Sequence, residues 1–115
     1  MYLDVYNENG YVRGFAHGND LVVSRHDLEE GEYYSPALAI YNYGDQGIDV
    51  VVSGEIPRRG DISGTTISWD PYYIDKGSNL AFRVYENVTG GTSGDFEIIW
   101  FCNNNEVGEF RWRVE

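Results

Sequence analysis

The chain has 115 residues, 42% of them hydrophobic and 16% aromatic, which suits one packed domain and is too apolar for a disordered chain. Nineteen acidic residues against eight basic ones give a formal charge of -11, a field that repels phosphate backbones and anionic headgroups and so predicts no nucleic-acid partner and no membrane-surface role. A single cysteine, Cys102, excludes an internal disulfide and a cysteine-based zinc cage.

Alternating apolar and polar residues dominate from the start, and no window shows helical spacing with caps. Tyr2 to Tyr6 puts Leu3 and Val5 on one side, and Tyr11 to Ala16 follows across Asn9-Gly10, a pair suited to a tight hairpin turn. Leu21 to Arg25 is a third short run. Ala37 to Tyr43 directs Leu38 and Ile40 to one face, and Ile48 to Ser53 directs Ile48, Val50 and Val52 to one face, so the Gly44 to Gly47 segment between them reads as a second hairpin turn. Ile56 to Gly64, with Pro57 and two glycines, reads as a loop between sheets, followed by a short strand at Thr65 to Trp69 that Pro71 stops.

Three longer strands complete the chain. Ser78 to Glu86 sends Leu80, Phe82 and Val84 inward; Phe96 to Cys102 sends Phe96, Ile98, Trp100 and Cys102 inward; Glu109 to Glu115 alternates charges with Phe110, Trp112 and Val114. Each such side chain contributes roughly 1.5 to 3 kcal/mol when buried, and a slip of one residue exposes the whole set, so register is strongly specified. Short strands at this spacing predict one all-β domain over residues 1–115, an immunoglobulin-like sandwich of two antiparallel sheets with about 7–9 strands.

Two segments share a form: Leu28-Glu29-Glu30-Gly31-Glu32 leads into the strand of Leu38, Ile40, Asn42 and Gly44, and Ile74-Asp75-Lys76-Gly77-Ser78 leads into the strand of Leu80, Phe82 and Val84. With the later Gly94-Asp95-Phe96 strand start, this pattern over residues 28–102 resembles immunoglobulin-like domains of prokaryotic surface proteins, of the general type in TasA-like fibre subunits and archaellum accessory proteins. The resemblance implies the sandwich fold and a place at a cell surface.

Chemistry-bearing motifs are sparse. Cys102 falls in phase with Ile98 and Trp100, where a thiol acts as a small hydrophobe. His17 and His26 sit in or beside polar loops without a nucleophile at a recognisable spacing, and no hydrolase, zinc-protease or phosphate-loop motif occurs. Asp45, Gln46, Asp49, Asp70 and Asp75 carry the oxygen ligands calcium needs but not the spacing of an EF-hand, and read as solvated charge. Asn87-Val88-Thr89 is a glycosylation sequon, and Arg59-Gly60-Asp61 is an adhesive tripeptide whose arginine, with Arg58, more simply balances local acid.

Tyr33, Tyr34, Tyr41, Tyr43, Trp69, Tyr72 and Tyr73 form the candidate contact surface, since tyrosines on the face opposite Leu38 and Ile40 need something to cover them. The expected function is a non-catalytic structural or assembly module at a cell or particle surface, binding a protein partner or itself and requiring no cofactor. The alternative is a carbohydrate-binding module using the exposed rings. No export signal and no run of about 18 apolar residues occurs in the chain, so a site of action outside the cell requires a signal or anchor absent from it.

Overall fold

The alternating runs become strands in the computed structural model, which describes residues 1–57, 64–85 and 93–115. The chain is all-β: among the described residues there are eleven strands and a single turn of 3-10 helix at Arg25–Asp27. The strands are β1 (Tyr2–Asn7), β2 (Gly10–His17), β3 (Leu21–Val23), β4 (Tyr33–Tyr41), β5 (Ile48–Val50), β6 (Val52–Ile56), β7 (Thr65–Ser68), β8 (Tyr72–Ile74), β9 (Asn79–Arg83), β10 (Gly94–Cys102) and β11 (Asn105–Val114). They form a four-stranded sheet in the order β2-β1-β4-β9, a five-stranded sheet in the order β3-β11-β10-β6-β7 and a two-stranded sheet of β5 and β8.

Three expectations are corrected here. Eleven strands replace the 7–9 expected, partly because the run Ile48 to Ser53 divides at Val51. There the Val51 N–H donates to the Asn103 side-chain oxygen at 2.9 Å and its carbonyl accepts from the Asn103 N–H at 2.8 Å, so β5 and β6 pair with different partners. The segment after β4 is not a hairpin: β4 is bonded to β1 and β9, and β5 pairs antiparallel with β8, aligning Ile48 with Ile74 and Val50 with Tyr72. The sheets are also not purely antiparallel, because β3 runs parallel to β11, with Trp112 beside Leu21 and Val114 beside Val23.

The chain divides into two compact units, one of residues 1–37, 83–97 and 110–115, the other of residues 38–82 and 98–109. In the first unit, Asn7 pairs with Gly10 across the Glu8 and Asn9 turn, and Gly10 takes a φ of 110°, a conformation open to glycine at little cost. Its core gathers Leu3, Val5, Val23, Tyr34, Val84 and the stacked rings of Phe96, Phe110 and Trp112, whose centroids lie 5.5 and 5.8 Å apart. The alternation in β11 is kept: Phe110, Trp112 and Val114 are buried.

The second unit buries Leu38, Val50, Val52, Ile56, Ile74, Phe82, Ile98 and Trp100. Trp69 is wedged between Trp100, stacked at 5.7 Å, and Phe82, edge-on at 5.8 Å. Gly54 sits opposite Trp100 in the β6–β10 pair, and a methyl group there would stand 2.6 Å from the Ile98 Cδ1; glycine is what lets that side chain close over the strand. Asn103 and Asn104, at φ 51° and 66°, form the two-residue turn between β10 and β11, a position where both residues must be left-handed and Asn is tolerated.

Candidate functional site: exposed and half-buried tyrosines

In the second unit the rings of Tyr41 and Tyr43 lie 5.9 Å apart and within 5° of parallel, 54% and 87% exposed. Alternation puts them on one side of the chain, while Asn42 between them turns inward and is buried. The Asn42 amide donates to the carbonyls of Gln46 at 2.8 Å and Ile74 at 3.0 Å, and its oxygen accepts from the Gly44 N–H at 3.0 Å. Its backbone accepts from Gly77 and donates to Ser78, so this one residue, by side chain and backbone together, fastens residues 42–47 to residues 74–78 and fixes where the tyrosine pair projects. Tyr73, 63% exposed, lies over Gly47, and Asp49 is its cross-strand neighbour.

The other tyrosines of the expected surface are divided by the fold. Tyr34 is buried against Phe15, donates its hydroxyl to the Ser24 carbonyl at 2.8 Å, and is pushed up to about 12 by that burial, with Asp27 adding to it. It therefore leaves the surface set; it points with Val5, its cross-strand partner, into the core. Tyr33 is half-buried and donates to the Tyr85 carbonyl at 2.6 Å. Trp69 is half-buried in the core of the second unit, and Tyr72 leans its edge on Phe82 while remaining partly exposed.

A second cluster, in the first unit, was not foreseen. β1 is buried on both faces: Leu3 and Val5 on one, Asp4 and Tyr6 on the other. The Tyr6 ring stacks on Tyr33 at 6.1 Å and meets the edges of Tyr11 and Tyr85 at 5.9 and 5.5 Å. Beneath these rings Asp4 accepts from the Arg83 guanidinium at 3.4 Å and the Tyr6 hydroxyl at 3.3 Å, and Arg83 lies 5.0 Å over the Tyr11 ring. Burial holds the Asp4 carboxyl above its ordinary range, outweighing the attraction of Arg83, and burial together with the Asp4 charge pushes the Tyr6 phenol far up. The Tyr2-x-Asp4-x-Tyr6 alternation carried the signal, but the cation that answers it is 79 positions away.

Nearby, Arg13 grips Glu32 with two bonds of 3.0 and 3.1 Å and donates to the Asp27 carbonyl; these bonds and the Glu29 N–H hold the Glu32 carboxyl below its usual range. Cys102 is a half-buried free thiol pushed up by desolvation. His17 and His26 are exposed. Asp45, Asp49, Asp70 and Asp75 are exposed as well, and among the described residues no group of three or more acidic, His or Cys side chains is gathered to hold a metal. Arg58, the Arg59-Gly60-Asp61 tripeptide and Asn87 lie outside the described residues. Among the described residues no helix is long and apolar enough to cross a membrane.

No protein-family model and no curated protein matches the chain. Among solved structures, an alkylpurine DNA glycosylase, AlkC of Pseudomonas fluorescens bound to DNA containing an abasic site analog, is similar at TM-score 0.59 and 10% identity, over 100% of this chain and 31% of that one. The chain thus spans about a third of that protein's length, and at this identity the likeness is one of fold. It corrects two expectations. Missing hydrolase motifs do not set the fold apart from enzymes, and a net charge of -11 does not set it apart from nucleic acid, since the same fold is matched within an enzyme captured on DNA. Net charge is a sum over the chain and a motif reads only contiguous residues, whereas catalysis and phosphate contact depend on a few groups that a fold brings together.

Proposed function

We propose that this chain is an immunoglobulin-like β-sandwich domain that binds a protein partner, or another copy of itself, through exposed tyrosine rings in an assembly at a cell or particle surface. The observation that carries the reading is the Tyr41–Tyr43 pair: two large rings held parallel at 5.9 Å while mostly in water. Tyrosine offers wide contact area with few rotatable bonds, and a pair already stacked loses little entropy when covered. The Asn42 bonds support the same reading, because they hold the backbone under the rings in place. The two larger sheets and the resemblance over residues 28–102 support the sandwich and the surface location.

A second reading takes its support from the glycosylase likeness: the same rings stack on unpaired bases in a DNA-acting protein, stacking being tolerant of base sequence. Carbohydrate is a third surface that flat rings accept. One set of measurements separates the three: sedimentation velocity for self-association, anisotropy with single-stranded and abasic DNA, and a glycan array, each on the wild type and on the Tyr41→Ala/Tyr43→Ala double variant. The reading expects self-association or ligand binding that the double variant loses at unchanged melting temperature. If every binding mode found is indifferent to the double substitution, the tyrosine pair is not the contact site.

A further inference from the structure

We infer that the surface recognised at the Tyr41–Tyr43 pair is a cationic, arginine-bearing segment of a partner protein. This rests on the reading that the pair is a contact site, and it adds the chemistry of what is contacted. The argument comes from how charge is distributed. In the first unit four of the five described arginines face carboxylates: Arg13 with Glu32, Arg83 with Asp4, Arg111 with Glu97, Arg113 with Asp95 and Glu115. In the second unit Lys76, next to Asp75 in the chain, is the one cation among the described residues, and Asp45 and Asp49 are exposed with no ion pair among the described residues.

Two of those carboxylates belong to the same corner as the rings. Asp45 lies two residues beyond Tyr43, within the segment that Asn42 closes, and Asp75 follows Ile74, whose carbonyl accepts from the Asn42 amide. Asp49 is cross-strand to Tyr73, whose ring covers Gly47. Planar, weakly hydrated guanidinium groups stack on tyrosine faces and hydrogen-bond to carboxylates, so an arginine-bearing segment answers both kinds of group in this corner. A neutral apolar partner leaves the carboxylates without answer.

The probe is a heptapeptide of alternating glycine and arginine, with its citrulline counterpart as a neutral twin of the same shape, titrated into the whole chain by amide-detected NMR. The arginine peptide is expected to shift resonances of residues 41–47 and 73–77. Tyr43→Ala weakens its binding about tenfold. Asp45→Asn/Asp75→Asn weakens it by a similar factor while leaving the rings in place, and raising sodium chloride from about 50 to about 300 mM does likewise. Equal binding of the citrulline twin, or no shift at these residues with the arginine peptide, overturns the inference. If at the same time oligothymidine, a glycan or self-association depends on Tyr41 and Tyr43, the contact site stands and only its partner's charge is wrong; if none does, both fall.

Discussion

The buried carboxylate of Asp4 makes Arg83→Gln the most informative substitution in the first unit. Asp4 has 2% of its side chain exposed and Arg83 35%, at 3.4 Å. At an effective dielectric of about 20 the attraction is about 5 kcal/mol, and screening at the exposed guanidinium reduces the loss expected on its removal to about 2 to 3 kcal/mol at pH 7. The Asp4 pKa is already raised in the fold, so between its unfolded value of 3.8 and its folded value the native state binds more protons than the unfolded state. Stability from this group is therefore fully present at low pH and is lost as pH rises through the folded pKa. Removing Arg83 raises that pKa further and enlarges the loss. Urea unfolding of the wild type, Arg83→Gln, Asp4→Asn and the double variant from about pH 4.5 to pH 7 reads it directly. The Arg83→Gln defect should shrink by about 1 kcal/mol or more at the acid end. In the Asp4→Asn background the same substitution should cost only about 1 kcal/mol, chiefly its contact with the Tyr11 ring. A defect that is equal at both pH values and equal in both backgrounds refutes the account of a buried charge held by this arginine.

Asn42→Ala removes three hydrogen bonds, two of them to carbonyls fixed elsewhere in the corner, and should cost about 2 to 3 kcal/mol in chemical denaturation while broadening the Tyr41 and Tyr43 resonances. Gly54→Ala drives a methyl group to 2.6 Å from the Ile98 Cδ1 and should cost about 1 to 3 kcal/mol; Ile98→Val, which deletes that carbon, should recover part of the loss in the double variant. Cys102 should alkylate at least about tenfold more slowly in the folded chain than in urea at pH 8, followed by intact mass, because burial keeps its thiol protonated.

Much of the fold was legible where one face of a strand is greasy over several residues. Phe96, Ile98 and Trp100, then Phe110, Trp112 and Val114, are buried as alternation requires, and the Asn9-Gly10 hairpin closes β1 onto β2. What alternation could not report was the neighbour. Ile48 to Val50 matches the pattern equally well beside β4 or β8, and the pairing turned on the Asn42 and Asn103 side chains, neither of which belongs to an apolar period. Tyr34 and Tyr41 have one composition and opposite fates, because Tyr34 stands across from Val5 and Tyr41 lies at the strand end beyond the reach of β1.

The sequence by itself determined that this chain folds as strands and which side of β10 and β11 is buried, since side-chain direction follows from the two-residue repeat of the backbone. Only the tertiary structure decided the strand order, the parallel placement of β3, and the meeting of Asp4 with Arg83. Strand pairing is made by backbone groups common to every residue, and the charge partner of a buried acid is chosen by whichever distant strand the fold lays beside it.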